Sequence, residues 1–193
     1  MAKPTLQIIV ASTRPGRVGL PVAKWFRGVA EATDTFDVEL VDLAEVDLPL
    51  FDEPNHPITQ DYTHPHTVAW AETIARGDAF AIVHPEYNHS YNAALKNALD
   101  YLHVEWNYKP VGFVSYGGVA SGARAQVALK PVVTALRMTP AVESVLVPFV
   151  GQFIDEESRF VPNEQLELGA AGLLAELTRL EAALRPLRAP AAA

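Results

Sequence analysis

Five short apolar runs, separated by segments with helical spacing, are the feature that most constrains how this chain folds. Strands of a parallel sheet are continuous apolar runs, because helices cover both faces of such a sheet. Strands that alternate with helices predict a doubly wound α/β fold, in which right-handed crossovers place helices on both faces. The predicted strands are Leu6–Ala11, Val38–Leu43, Ala79–Val83, Val111–Ser115 and Val142–Val147.

The segments between these runs carry apolar residues on one helical face. One connection differs, since Asp47–Pro65 contains several prolines and is expected to be a long irregular loop. Ordered loops of this length tend to be functional or to cover something. The predicted helices are Val22–Ala30, His66–Arg76, Ala93–Val104, Arg124–Leu136 and Glu164–Leu184.

The composition is that of a globular protein rather than a disordered one. The chain has 193 residues, of which 49% are hydrophobic and 20% charged, so it is long enough to bury a full core. We expect one domain over residues 1–185. Residues 186–193 are expected to form a disordered tail.

Charge and cysteine content exclude several classes of function. A formal net charge of −8 argues against nucleic acids and anionic membranes as partners. The lack of cysteine excludes disulfides, a thiol nucleophile and a thiolate metal site, and is compatible with a cytoplasmic location. No apolar run approaches the length of a membrane span, and the first residues lack the apolar region of a signal peptide. We therefore expect a cytoplasmic protein.

Three polar loops follow the first, third and fourth predicted strands. They are Ser12–Gly19, Pro85–Asn92 and Ser115–Gly122. In a doubly wound sheet these strand ends converge on the crevice where ligands bind. Each loop alone has the alternative of an ordinary turn without a ligand. The three together are a more specific signal than any one of them.

The first loop has the chemistry of a phosphate site. Hydroxyl groups donate, arginine neutralises charge, and the amides at the start of the following helix point at the anion. The loop lacks both the glycine-lysine-hydroxyl ending of a Walker loop and the G-x-G-x-x-G of a dinucleotide fold. Its alternative is a helix cap with two solvated arginines, Arg14 and Arg17. In Ser115–Gly122, glycine would let the backbone approach a flat ligand closely.

The sequence resembles the NAD(P)H-dependent FMN reductases, a family of flavodoxin-like fold that includes small quinone and azo-compound reductases. Its first loop matches the hydroxyl-x-Arg-rich loop of that family. The resemblance implies a flavodoxin-like, doubly wound, five-stranded parallel sheet, and it extends from Leu6 to about Leu184. The other matching elements are Pro-Glu-Tyr-Asn at 85–88, Leu-Lys-Asn-Ala-Leu-Asp at 95–100, Glu-Trp at 105–106 and Ser-Tyr-Gly-Gly at 115–118.

The resemblance also implies FMN as the cofactor and NADPH or NADH as the electron donor. A hydride would pass through FMN to a quinone, an azo compound or free flavin. The first loop would hold the flavin phosphate, Pro85–Asn88 would lie against the flavin ring, and Ser115–Gly118 would border its other side. No protein acid or base is expected, because the cofactor carries the chemistry. The implied cofactor-binding residues are Ser12, Thr13, Arg14, Arg17, Val18, Gly19, Pro85, Glu86, Tyr87, Asn88, His89, Ser115, Tyr116, Gly117 and Gly118.

Two departures from the family pattern leave the acceptor range and the choice between NADPH and NADH open. Asn92-Ala93 stands where the family often has Pro-Gly, and Ala120-Ser121 stands where it commonly has glycines. Both pairs are expected beside the space for nicotinamide and acceptor. Within that space, His89 is the side chain expected to contact the acceptor.

The resemblance further implies a homodimer or homotetramer. The aromatic residues Tyr101, Trp106 and Tyr108 are expected to anchor a subunit interface, since aromatics are common there, with a place in the core as the alternative. No metal site is expected. His64-x-His66 is the nearest candidate, but no recognised ligand spacing completes it.

Two other functions remain open on the sequence alone. One is a flavodoxin-like electron carrier, and the other is a flavin-binding redox sensor without substrate turnover. The glycine-bearing Ser115–Gly122 loop and the long Asp47–Pro65 segment favour an enzyme, because both could shape a space for a second ligand.

Overall fold

A computed structural model describes residues 2–188. The strands are β1 (Thr5–Val10), β2 (Asp37–Asp42), β3 (Ala79–Pro85), β4 (Pro110–Tyr116) and β5 (Thr139–Val147). The helices are α1 (Gly19–Ala32), α2 (Leu43–Val46), α3 (Pro65–Ala75), α4 (Ala93–Asp100), α5 (Ala123–Ala135) and α6 (Glu164–Arg188), with 3₁₀ turns at Pro57–Thr59, Val104–Trp106 and Val150–Phe153. Within residues 2–188, no helix is both long enough and apolar enough to cross a membrane.

The five strands form one sheet in the order β2-β1-β3-β4-β5, and all neighbouring pairs are parallel. This is the flavodoxin-like doubly wound order, so the predicted fold class is confirmed. The chain leaves β1 for β2 on one side and returns to β3 on the other. A crevice therefore opens where β1 and β3 end, and β4 ends beside it with Tyr116 opposite Pro85.

Successive residues of β1 serve the two faces of the sheet. Ile8 packs in the core that includes α1 and α6, whereas Ile9 packs in the core that includes α3, α4 and α5. Both side chains are buried. Burying a side chain of this size stabilises the fold by about 1.5–3 kcal/mol. The continuous apolar run of β1 is thus the consequence of helices on both faces.

The last helix runs further than the sequence predicts. It continues past Pro186 to Arg188 instead of ending at Leu184. Arg188 donates to the buried carboxylate of Glu181 at 2.6 Å and to Asp78 at 3.2 Å, and these ion pairs hold the final turn. Residues 186–188 of the expected tail are therefore helical. The remainder of that tail, residues 189–193, lies outside the described residues.

The aromatic residues expected at a subunit interface lie mostly in the core of the protomer, which corrects that expectation. Tyr101 and Trp106 are fully buried, and the Trp106 ring lies 5.0 Å from that of Phe80. The cause is that α4 ends at Asp100 instead of Val104, so a separate 3₁₀ turn carries Trp106 inward. Only Tyr108 of the three stays half-exposed.

The Asp47–Pro65 connection is irregular, as predicted, but it is firmly held. Asn97 on α4 accepts from the backbone N–H of Phe51 at 2.9 Å and donates to the Pro49 carbonyl at 2.6 Å. The hydroxyl of Tyr101 donates to the Asp52 carboxylate at 2.9 Å. The loop is thus a fixed wall over α4.

One buried titratable residue lies in the sheet just below the polar loops. His84 of β3 is fully buried, and its Nε2 has no hydrogen-bond partner among the described residues. Burial lowers the pKa of His84 to about 4, although Nδ1 lies 3.2 Å from the Pro85 carbonyl and the Glu86 carboxylate is near. The imidazole is therefore neutral at physiological pH.

We expect the free energy of unfolding to fall as the pH falls below about 6.5. The unfolded chain then binds a proton on His84 that the folded chain binds only near pH 4, and a shift of this size corresponds to about 3 kcal/mol. Urea denaturation between pH 7 and pH 5 measures the slope, and His84→Gln should flatten it. The same slope in the variant would contradict the assignment.

Glu53 contributes to the free energy of unfolding in a different, more acidic pH range. Its burial alone would raise its pKa, but hydrogen bonds to groups that include the N–H groups of Thr63 and His64 lower it to about 2. Glu53 stabilises the folded chain fully above the ordinary glutamate pKa of about 4.5, and this stabilisation is lost only as the pH falls below that value. It therefore does not disturb the measurement above pH 5.

Candidate functional site

The three polar loops meet around one cavity of ≈ 170 Å³ at the carboxyl ends of β1, β3 and β4. Because the parallel strands end at the same edge of the sheet, residues far apart in sequence become neighbours there. We call this the loop cavity. Its lining residues are Ser12, Arg14, Arg17, Val18, Pro85, Glu86, Tyr87, Tyr116, Gly117 and Val150.

The cavity brings together predicted residues from all three loops but not every predicted residue. Thr13 lines a neighbouring cavity instead, and Ser115 is tied below the loop. Val150 is a lining residue that the sequence reasoning missed. It arrives from the 3₁₀ turn after β5, where its backbone N–H donates to the Gly117 carbonyl at 3.3 Å. An isolated valine in an irregular segment gives no signal in the sequence.

The two arginines of the first loop have different surroundings. Arg17 forms a fork with the Asp42 carboxylate at 2.7 and 2.5 Å and also donates to the Ser12 carbonyl at 2.8 Å. Arg14 is exposed and makes no side-chain hydrogen bond to residues 2–188. Arg17 therefore fixes the loop, whereas Arg14 is available for an anion.

The start of α1 supplies further donors. The residue before it, Val18, provides no side-chain cap, so the first amides of the helix point toward the loop without a side-chain acceptor. The Ser12 hydroxyl is buried and lies 3.4 Å from the Tyr87 hydroxyl. A helix start, a buried hydroxyl and an available arginine together form an environment suited to phosphate.

A buried hydroxyl without a partner faces the same region. Tyr116 Oη is buried and has no hydrogen-bond partner among residues 2–188. Burial raises the pKa of the Tyr116 phenol, so the group stays protonated and can donate. A Cβ added at Gly19 would collide with this hydroxyl. Glycine at position 19 is therefore what leaves room for a phenol beside the first loop.

The second loop is a tight turn that presents Tyr87. The backbone groups of Tyr87 and Ser90 bond to each other at 2.9 and 3.0 Å, and Asn88 and His89 between them have left-handed φ values of 50° and 69°. This is the geometry of a two-residue hairpin turn, and asparagine tolerates it better than histidine does. The strained pair holds Tyr87 at the cavity, while Asn88 and His89 themselves lie outside its lining.

Glu86 links the second loop to the third. Its side chain is buried, pairs with Arg124 and accepts from the Arg124 backbone N–H at 3.2 Å at the start of α5. Burial would raise the pKa of Glu86, but hydrogen bonds from Arg124 outweigh this and lower it. Glu86 is therefore a fixed carboxylate rather than an exposed loop acid.

The third loop is held from below by Ser115. Its hydroxyl donates to the Ser121 carbonyl at 3.0 Å and accepts from Gln126 at 3.0 Å. Gly122 has a φ of 85°, and a Cβ there would lie 2.6 Å from that of Ser115. In contrast, a Cβ at Gly118 would meet nothing within 4 Å. Glycine is therefore required at position 122, where the backbone packs against Ser115, but not at position 118.

A second cavity of ≈ 470 Å³ lies on the other side of the first loop. Thr13 borders it, while Ser12 and Arg14 on either side of Thr13 border the loop cavity. The walls come from α2, from the start of the long connection and from α4. We call it the second cavity, and its lining residues are Thr13, Leu43, Ala44, Asp47, Leu48, Leu50, Ala93, Ala94, Asn97 and Ala98.

The pair His64-x-His66 faces a single carboxylate. His66 Nε2 lies 3.0 Å from Asp52 Oδ1, and the two imidazole rings stack at 5.1 Å. Across residues 2–188 the structure contains no group of three or more side chains placed to hold a metal ion. The histidines instead help to fix the Asp47–Pro65 connection.

Comparison with known proteins identifies relatives across most of the chain. The family model described as NADPH-dependent FMN reductase matches residues 4–152. An NAD(P)H-dependent FMN reductase of Schizosaccharomyces pombe is 43% identical over 140 residues, covering 72% of this chain and 70% of that protein. A quinone reductase of Escherichia coli is 32% identical over 169 residues, covering 78% and 86%.

Solved structures share the fold at low sequence identity. The flavoenzyme NAD(P)H:(acceptor) oxidoreductase FerB of Paracoccus denitrificans aligns with a TM-score of 0.72 and 20% identity, covering 94% of this chain and 98% of that one. At this identity the likeness supports the fold and nothing finer. The partnerless Tyr116 hydroxyl, the open start of α1 and Arg14 provide an independent fit to a flavin with a terminal phosphate.

We expect Tyr116→Phe to weaken FMN binding without lowering the stability of the apo-protein. The change removes a donor to the flavin but also removes a buried hydroxyl that has no partner in the described part of the chain, so the apo fold loses no hydrogen bond. The loss of one hydrogen bond predicts a Kd higher by about 2- to 13-fold. Flavin fluorescence titration and thermal unfolding of the apo-protein measure the two effects.

Gly19→Ala tests whether the space above residue 19 is needed for the Tyr116 hydroxyl. The added methyl group should displace Tyr116, so both apo stability and FMN affinity should fall. In the double variant Gly19→Ala/Tyr116→Phe the stability should recover while the affinity stays low. Wild-type FMN affinity in Tyr116→Phe would remove this hydroxyl from the site.

Proposed function

Because the chain belongs to the NADPH-dependent FMN reductase family, we propose that the loop cavity is where it holds FMN. The protein is an NAD(P)H-dependent FMN oxidoreductase. The observation that carries the placement is the buried, partnerless hydroxyl of Tyr116 beside the open start of α1. A buried donor at that point supports the binding of an anionic group beside the first loop.

Each loop then has a defined task toward the flavin. Arg14, the Ser12 hydroxyl and the first amides of α1 bind the phosphate. Arg17 lines the same cavity and also holds the loop through Asp42. Tyr87 and the backbone of its turn would form one wall for the ring, and Gly117 would line the other side.

FMN held in this cavity would supply the two-electron chemistry that links NAD(P)H to an acceptor. In the net reaction, NAD(P)H and one proton reduce a quinone to its hydroquinone, and the nucleotide leaves oxidised. The carboxylate of Glu86 is committed to Arg124 and α5, so it serves the shape of the site rather than proton transfer.

The acceptors are small molecules. We infer that they are a quinone, an azo compound or free flavin, which the names of the relatives support. We place the enzyme in the cytoplasm, where it would draw on the NAD(P)H pool. His89 at the tip of the Tyr87 turn is exposed, and its proposed contact with the acceptor rests on that position.

Purified protein should carry FMN by mass spectrometry and should oxidise NADPH or NADH steadily when a quinone, an azo dye or free FMN is present. Titration of the apo-protein should show tighter binding of FMN than of FAD, because the first loop is suited to a terminal phosphate. Binding of flavin without any steady nucleotide oxidation would indicate an electron carrier instead. Tighter FAD binding would contradict the placement of the phosphate.

We also infer a homodimer or homotetramer. The edge strand β5 exposes two large apolar side chains, with Val142 83% and Leu146 40% exposed. Exposed apolar edge strands favour coverage by another protein surface. Light scattering of the FMN-loaded enzyme should give an even multiple of 21.0 kDa, and Val142→Glu should lower it. A mass of 21.0 kDa with full activity would contradict the assembly.

A further inference from the structure

Among residues 2–188, Glu86 is the one residue with a carboxylate that lines the loop cavity. Its side chain is 6% exposed, so its charge is largely shielded from solvent. A Cβ added at Gly117 would lie 3.6 Å from the Cβ of Glu86, which shows that the two residues are neighbours in the wall of the cavity. Since we place the flavin ring between Tyr87 and Gly117, this carboxylate belongs to the immediate surroundings of the ring.

The start of α5 holds this carboxylate in place. Arg124 Nε donates to Glu86 Oε1 at 2.5 Å, and the Arg124 backbone N–H donates to Oε2 at 3.2 Å. Gly122, which precedes α5, provides no side-chain cap, so Glu86 caps this helix from another loop. Burial alone would raise the pKa of Glu86, but the hydrogen bonds from Arg124 lower it. Glu86 is therefore a fixed negative charge at neutral pH.

The two ends of the Glu86–Arg124 pair differ in exposure. The Arg124 side chain is 47% exposed, whereas that of Glu86 is 6% exposed and lines the cavity. The pair therefore has its negative end toward the cavity and its positive end toward solvent. The fork of Arg17 and Asp42 has the opposite arrangement, because there the cation lines the cavity. The proposed ring thus has a carboxylate beside it and a cation one side chain further out.

A hydride carries two electrons and one proton, so its transfer brings a negative charge to a neutral flavin ring. A carboxylate beside the ring opposes this charge, and a nearby cation favours it. We propose that the Glu86–Arg124 pair sets the reduction potential of the bound flavin, with Glu86 lowering the potential and Arg124 raising it. The inference rests on the proposed function and goes beyond it by giving these two residues an electrostatic role.

The test compares Glu86→Gln with Arg124→Gln in the FMN-loaded protein. Redox titration against a reference dye, followed by flavin absorbance at pH 8 and low ionic strength, gives the potential while carboxylates stay ionised. In Glu86→Gln we expect reduced FMN to bind about three- to tenfold more tightly relative to oxidised FMN, a rise of about 14–30 mV for a two-electron couple. Arg124→Gln should give a fall of similar size.

A purely structural role of the pair predicts a different pattern. Loss of the α5 cap would weaken the binding of oxidised and reduced FMN by the same factor and leave the potential unchanged. Shifts in the same direction in both variants, or no shift in either, would therefore overturn the proposal. If Arg124→Gln leaves too unstable a fold, the double variant Glu86→Gln/Arg124→Gln avoids the unpaired buried carboxylate. Its potential should lie below that of Glu86→Gln and close to that of the wild type.

Glu181 and Arg185 on α6 form a matched control pair. Their side chains are 2% and 45% exposed, close to the values of Glu86 and Arg124. The last turn of α6 is tied to Asp78, which precedes β3 at the end of the sheet opposite to the loop cavity. Glu181→Gln and Arg185→Gln remove the same charges and should leave the potential unchanged. Shifts equal to those of Glu86→Gln and Arg124→Gln would reduce the effect to net charge and contradict the proposal.

The outcomes separate this inference from the proposed function. If the wild-type protein binds FMN and oxidises NADPH steadily, but Glu86→Gln and Arg124→Gln keep its potential, only the electrostatic role of the pair is wrong. If the wild-type protein binds no FMN, the proposed function fails and this inference fails with it. Opposite shifts in the two variants, with unchanged potentials in both α6 controls, would support the inference.

Discussion

The fork between Arg17 and Asp42 is the interaction on which both cavities depend. Asp42 ends β2 and caps α2, while Arg17 belongs to the loop that follows β1, so the pair joins two strand ends across the crevice. Both side chains are largely buried. Removing one partner of such a pair leaves an uncompensated charge and typically costs about 3–5 kcal/mol. The loop cavity lies on one side of this fork and the second cavity on the other.

Sequence-based prediction was most accurate for the strands, whose pattern depends on burial alone. Strands buried on both faces must be apolar throughout, so β1, β3 and β4 were predicted almost at their observed limits. The three loops were identified because each places polar or glycine residues directly after a predicted strand, where ligands bind in such sheets. The short helix α2 was missed, since four residues are too few for helical spacing to register.

Other features depended on contacts between distant parts of the chain. The ion pair of Arg17 with Asp42 could not be predicted from the sequence, because the two residues lie 25 positions apart. Tyr101 was expected at an interface because aromatic residues are common in interfaces and in cores alike. Its burial is set by the Asp47–Pro65 connection, which folds over α4. Periodicity within one segment does not carry that information.

The loop cavity is assembled from residues that span Ser12 to Val150, contributed by the ends of three strands and by the segment after β5. None of these pieces forms the site alone, because each needs its neighbours in the sheet to hold its position. Pairings of such long sequence separation close late when a chain folds. The flavin site is therefore absent from a partly folded chain, and flavin uptake requires that β1, β3 and β4 have already paired.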